Sequence, residues 1–177
     1  MMINQDKRRR RSIRLRDYDY SQPGAYFATI CTKDRQCLFG DVIGGEMRLN
    51  EFGQIVEYCW EWLENQYEYV ELDAYVVMPN HLHGIILIMD DRRRGGSRTA
   101  PTKRKSLGRL IGAFKTVSTK SINKTRGIPN SVVWQRNYYE HVIRNEDELN
   151  EIREYIANNP LKWESDEENP DVYPMAF

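Results

Sequence analysis

Long apolar runs are missing from this chain. No uninterrupted one exceeds five residues, the length of Ile85 to Met89, far below the roughly 20 that cross a bilayer as a helix. The basic N-terminal cluster has no apolar stretch behind it, so it does not read as a secretory signal. Cysteine is scarce. Cys31, Cys37 and Cys59 are an odd set without zinc-like spacing, which leaves reduced thiols in a cytoplasmic protein as the expectation. A Gly-rich phosphate loop is absent as well, which argues against nucleotide-driven chemistry. Net charge is formally +0, so no overall excess of one sign points to a partner.

What the chain has is a core and a segregation of charge. At 40% hydrophobic and 11% aromatic over 177 residues it fits one folded domain, not a disordered polymer. The neutral total hides strong local bias. Residues 1–16 hold seven Lys/Arg against Asp6, and residues 91–126 hold twelve against Asp91. From Glu146 onward ten acidic residues face only Arg153 and Lys162. Basic runs are often plain solvated surface, but two with almost no acidic neighbours point to a polyanion, nucleic acid first.

The chain is organised around AYVVMPNHLHGIILIM, Ala74 to Met89. Two apolar runs meet at Pro79-Asn80, which predicts two adjacent buried strands joined by a tight corner. Side chains alternate along a strand, so His81 and His83 share one face and Leu82 takes the other. Paired histidines near a turn are commonly polar surface residues. Here they are two of the three histidines in the chain and their neighbours are apolar, which suits a dry metal-binding platform better.

Elsewhere the pattern predicts strand AYFATICT (Ala25 to Thr32) and a hairpin over Asp41 to Leu49 pivoting on Gly44-Gly45. A helix capped by Asn50 should run to about Gln66, and a second should start at Ser106. Val132 to Ile143 reads as one strand with aromatic and polar residues interleaved. Asn145 with Glu148 reads as a capping box opening a third helix that stops before Pro160. The order implies an α+β fold, a mainly antiparallel sheet with helices packed against it. In the last helix Leu149, Ile152 and Ile156 form the buried stripe. Tyr155 lies at its border, and Asn159, four residues on, shares its face. A border tyrosine is usually a packing residue with a wet hydroxyl, and Asn before Pro is usually a helix end. Beside a two-histidine platform they supply a nucleophile and an oxygen donor. His141, beside Glu140, is assigned a hydrogen-bonded structural role.

The sequence resembles a known family in three places. PNHLHGII looks like the His-hydrophobe-His motif of HUH nucleases. EYIANNPLK, with Tyr155 and Asn159, is similar to the catalytic helix of single-tyrosine transposases. WQRNYYEHVIR, Trp134 to Arg144, resembles the segment before that helix in REP-associated tyrosine transposases. The likeness spans roughly residues 20 to 163, leaving 1–19 as a basic N-terminal arm and 164–177 as an acidic C-terminal tail.

The resemblance implies a ferredoxin-like sandwich and a metal-dependent endonuclease and strand transferase. Its substrate would be single-stranded DNA beside a hairpin, cut through a covalent 5′-phosphotyrosine. It implies Tyr155 as nucleophile and His81, His83 and Asn159 as ligands of Mg²⁺ or Mn²⁺; many family members carry Gln where this chain has Asn159. DNA contacts are expected from Arg8, Arg9, Arg10, Arg11, Lys103, Arg104, Lys105 and Arg136. The protein would be a monomer or homodimer with no membrane partner. The alternative is a non-catalytic nucleic-acid-binding protein on the same fold.

Overall fold

The computed structural model describes residues 18–90 and 104–172. Arg8 to Arg11 and Lys103 lie outside them. Among the described residues six strands and three α-helices follow in the order β1 (Gly24–Cys31), β2 (Gly40–Ile43), β3 (Glu46–Leu49), α1 (Glu51–Gln66), β4 (Val70–Val77), β5 (His81–Ile88), α2 (Leu107–Thr125), β6 (Tyr139–Ile143) and α3 (Glu146–Ala157). Among the described residues no helix is long and apolar enough to cross a membrane.

The main sheet has the order β4-β5-β1-β6, every neighbouring pair antiparallel. β1 and β4 are therefore parallel strands split by β5, the arrangement of a ferredoxin-like sandwich. β2 and β3 form a separate hairpin, and Gly44 and Gly45 at its tip take positive φ of 61° and 80°, as a primed turn requires.

Period-two alternation sorts the core into two layers. Leu82, Ile86 and Ile88 point to the same side as Val56, Trp60 and Leu63 of α1 and Leu110 and Phe114 of α2. Ile85 points the other way, to Phe27, Ile143 and Ile156 of α3. The central strand β5 is thus covered on both faces, and its N-terminal half is fully buried. Asn50 caps α1 as expected, its side chain accepting from the N–H groups of Phe52 and Gly53 at 2.9 and 3.0 Å.

The strand expected over Val132 to Ile143 is shorter than its pattern suggests. Only Tyr139–Ile143 joins the sheet; Trp134 makes one isolated bridge to Thr32. The Lys115 ammonium on α2 donates to the carbonyls of Gln135, Arg136 and Asn137 at 2.8, 3.4 and 3.1 Å. Those carbonyls turn toward a cation and not toward a neighbouring strand.

Gly84 fixes how closely α1 sits on the sheet. A Cβ there would lie 2.4 Å from Cζ2 of the fully buried Trp60 ring, and a ring packed on all sides cannot give way. Gly84→Ala is expected to cost about 1–3 kcal/mol through overpacking. Urea unfolding of the variant against the parent checks this; an unchanged midpoint would show that α1 rides more loosely than its packing implies.

Candidate functional site

His81 and His83 are the first and third residues of β5, so alternation places both rings on the α3 face, with centroids 4.5 Å apart. Both are buried, at 0% and 3% exposure. Each ring is held through Nδ1. Asn80 Oδ1 lies 2.8 Å from His81 Nδ1, and Thr29 Oγ1 lies 2.8 Å from His83 Nδ1. The Asn80 amide is itself oriented, since its Nδ2 donates to the Arg35 and Glu168 carbonyls at 3.1 and 2.6 Å. Its oxygen must therefore face His81 as acceptor, which puts the proton on Nδ1 and leaves Nε2 of His81 as a lone pair.

That lone pair has no hydrogen-bond partner, and neither has the buried Oδ1 of Asn159. Burial holds the His81 pKa down to about 3 even though the neighbouring Asn159 amide favours the charged ring. Burial and the adjacent His81 keep His83 well below its ordinary value too. Both imidazoles are neutral at pH 7. Neutral imidazole nitrogens and an orphaned amide oxygen, directed into one dry space, are a donor set that fits a divalent cation.

Tyr155 approaches the same space from α3. Its hydroxyl lies 3.3 Å from His83 Nε2, and its ring meets His83 and Phe27 edge-on at 5.1 and 6.1 Å. It remains 40% exposed, so one side is open to a large substrate. Burial, then the charge of Asp166, push the phenol up to about 12, and it is protonated at neutral pH. Asn159 keeps helical dihedrals just beyond α3 and stays on the Tyr155 face.

Three contacts set the position of α3. Ile156 is buried against Phe27 and Ile85. Arg153 grips Asp73 of β4 with Nε–Oδ1 and Nη2–Oδ2 distances of 2.8 and 2.6 Å. At the N-terminus Asn145 accepts from Glu148 N–H at 2.8 Å. The reciprocal arm of the expected capping box is displaced by one residue: Glu148 Oε2 accepts from Arg144 N–H at 2.7 Å. The other Glu148 oxygen takes His141 Nε2 at 2.6 Å, the hydrogen-bonded structural role expected for that histidine.

A residue that the sequence pattern did not single out also reaches the site. Asp166, from the acidic segment after the turn at Pro160–Ser165, places a carboxylate oxygen near the two histidines. The ligand atoms of the three residues all lie within 4.8 Å of one another. Only the excess of acidic residues there could have hinted at it.

The basic residues divide. Arg104 pairs with Asp90 at 3.2 Å, and Lys105 donates to the Tyr67 hydroxyl at 3.0 Å. Both sit at the far end of β5, about 23 Å from His81 along an eight-residue strand. Arg136 is exposed and lines an open groove of about 860 Å³ with Lys115, Lys120 and Lys124. This groove begins near the histidine end, where Gln135 N–H bonds to the Cys31 carbonyl and Cys31 is the register partner of His81.

Fold and site together define an α+β ferredoxin-like protein with a buried imidazole pair and a tyrosine from one helix at one end of its central strand. The chain is 42% identical over 167 residues to an uncharacterized protein of Haemophilus influenzae, across 89% of this chain and 92% of that protein. It is 28% identical over 146 residues to a protein of the same organism named "putative REP-associated tyrosine transposase", across 81% of this chain and 74% of that one. No family model matches the chain. Among solved structures, a REP-associated tyrosine transposase bound to a REP hairpin superposes with a TM-score of 0.58 at 20% identity, covering 84% of this chain and 73% of that one. That likeness is one of fold. The chain is thus similar in sequence to a protein named a REP-associated tyrosine transposase and shares the fold of a solved one.

Because Asp73–Arg153 anchors the helix that carries Tyr155, Asp73→Asn should loosen it. Arg153 holds the Asp73 carboxyl below its ordinary range. Its contribution is therefore present above the unfolded value near 4 and is lost as pH falls through the lower folded value. The variant is expected to melt about 1–4 °C lower at pH 7, a range discounted for the partly exposed arginine. That gap should narrow in melts taken at pH 3. A constant gap would assign the loss to packing instead of charge.

Proposed function

We propose that the protein is a metal-dependent endonuclease and strand transferase acting on single-stranded DNA beside hairpins, with Tyr155 as its nucleophile. The observation that carries this reading is the Tyr155 hydroxyl 3.3 Å from a buried imidazole pair, next to a buried, unpartnered Asn159 oxygen. His81, His83 and Asn159 would hold Mg²⁺ or Mn²⁺. Two imidazole nitrogens and an amide oxygen leave room for other oxygen ligands, unlike a closed structural zinc site. When bound, such an ion offsets charge on a phosphodiester and makes phosphorus easier to attack.

The side chains of the chain do the rest. Thr29 and Asn80 keep the two imidazoles in fixed orientations, which is how hydrogen bonds behind a ligand set tune it. α3 presents the Tyr155 oxygen on the open side of the pair, where a scissile phosphate can approach. The phenol proton leaves as oxygen attacks phosphorus. The P–O3′ bond breaks, the departing 3′ oxygen gains a proton, and DNA remains as a 5′-phosphotyrosine. A free 3′-OH can reverse the exchange and join strands, so no nucleotide is consumed. A relative in fold, a REP-associated tyrosine transposase solved with a REP hairpin bound, supports a hairpin-bearing substrate.

The groove of Lys120, Lys124 and Arg136 would track the phosphates of the strand leading to the site. Changing these three to Gln is expected to weaken hairpin DNA binding whatever the sequence. Each lost phosphate contact should lower the log–log salt slope by roughly 0.7–0.9. Fluorescence anisotropy across a salt series measures the slope, and a parental value would remove the groove from the interface.

Tyr155→Phe removes one oxygen and little volume, so folding and DNA affinity should persist. Cleavage of hairpin-bearing single strands with Mn²⁺ should vanish, along with any adduct that survives denaturing gels. Tyr138→Phe and Tyr139→Phe should still form the adduct, and EDTA should suppress it in the parent. An adduct formed by Tyr155→Phe would sink the assignment. Tight binding by the parent without any adduct under either metal would favour a non-catalytic binding protein.

A further inference from the structure

We infer that Asp166 is a fourth donor to the metal centre, and that the acidic turn 166–169 is fastened to the sheet end to deliver it. The inference rests on the reading of the histidine site as a metal centre. Its own evidence is the convergence of His81, His83 and Asp166, whose ligand atoms lie within 4.8 Å of one another. Around an octahedral ion at about 2.0–2.1 Å, ligand atoms lie roughly 2.9 Å apart when adjacent and about 4.1 Å when opposite, so side-chain movements of about an ångström would close the set.

An acidic turn alone is no site, since carboxylates gather on surfaces without any cation. Here the space it faces is independently prepared. His81 Nε2 and Asn159 Oδ1 are buried acceptors with no partner, on residues 0% and 1% exposed. Neither belongs to the turn. Adding a carboxylate beside two unpartnered acceptors crowds electron-rich atoms into one place, which costs free energy unless a cation enters, even though the Asn159 amide also reaches Asp166. A bare carboxylate would also repel the phosphodiester the site is meant to receive. With a cation bound, the same charge anchors the ion.

The turn is held more firmly than a loose tail would be. Arg35 Nε pairs with Glu168 Oε2 at 3.0 Å, and Arg35 Nη1 donates to the Glu167 carbonyl at 2.7 Å. Asn80 Nδ2 donates to the Glu168 carbonyl at 2.6 Å. Within the turn, Glu168 N–H bonds to Asp166 Oδ1 at 2.7 Å and fixes the carboxylate plane, while Asn169 Nδ2 reaches the Trp163 carbonyl at 3.0 Å. Asn80 therefore does two tasks with one amide: its oxygen sets the His81 tautomer and its nitrogen seats the acidic turn. Arg35 and Asn80 act as positioning residues.

Mn²⁺ binding to the full-length protein, read from the electron paramagnetic resonance signal of free Mn²⁺, tests the idea without any turnover. The parent should bind one ion, and His81→Ala should weaken it strongly. Asp166→Asn should weaken it tenfold or more, while Glu164→Gln, on an exposed carboxylate of the same acidic segment, should leave it unchanged. Arg35→Gln removes no donor yet frees the turn, and it should cost about tenfold, as loss of supporting contacts around a metal does. It also serves if Asp166→Asn fails to fold. Asp166→Asn and Arg35→Gln within twofold of the parent would overturn this inference and leave the two-histidine centre standing. A parent that binds no Mn²⁺, or binds it equally after His81→Ala, would overturn the metal reading and this inference with it.

Discussion

The structure depends on one strand being covered on both faces. β5 runs through the middle of the sheet with β4 and β1 on its flanks, α1 and α2 over one face and α3 over the other. Strand geometry then leaves little choice: residues of one parity must fill the thick layer, and residues of the other the thin one. Leu82, Ile86 and Ile88 go to the thick layer, with Gly84 making room for Trp60. His81 and His83 go to the thin one. A slip of one residue would drive both imidazoles into the α1–α2 core, so the register that builds the hydrophobic layer also sets the site.

Dryness follows from the same geometry and decides the chemistry. Imidazoles at the end of an exposed strand would titrate near neutrality and carry protons part of the time. Under α3 and Trp163, whose ring lies 6.0 Å from that of His81, the charged forms lose their hydration and both rings stay neutral. Neutral rings, with the His81 proton held on Nδ1 by Asn80, are in the state a metal takes. The Tyr155 phenol, protonated at neutral pH as phenols are, is pushed up to about 12 by the same burial.

Much of this was legible because it is local. Pro79-Asn80 between two apolar runs located the corner, and alternation from His81 to His83 located the shared face. The stripe of Leu149, Ile152 and Ile156 placed Tyr155 at the helix border. What escaped was decided by contacts between distant segments. Val132 to Asn137 has strand-like composition, but a lysine from α2 claims its carbonyls, and no pattern within the segment records that. Asp166 sits in a stretch without periodicity and is seated by Arg35 and Asn80, more than eighty residues away in the chain. Glu148 bonds to Arg144 N–H in place of Asn145 N–H while it also meets His141, a choice made by β6 and not by the cap signature.

The distribution of anchors along α3 bears on how such a helix can serve a large substrate. Its N-terminus is pinned through Glu148 to β6, its middle through Arg153 to the edge strand β4, and its apolar side through Ile156 to the sheet. Each anchor lies on a different element, so tilting the helix in any direction works against at least one of them. Tyr155 is left between anchors, in contact with Phe27 and His83 on one side and solvent on the other. Rotation of its ring is then the movement of lowest cost, while the helix axis stays fixed. On the proposed reading, a phenol that pivots on a rigid helix would leave its 3.3 Å contact with His83 and swing toward an incoming phosphate without disturbing the imidazoles. The same chain that carries the histidines carries the tyrosine at contact distance, and the packing that places one places the other.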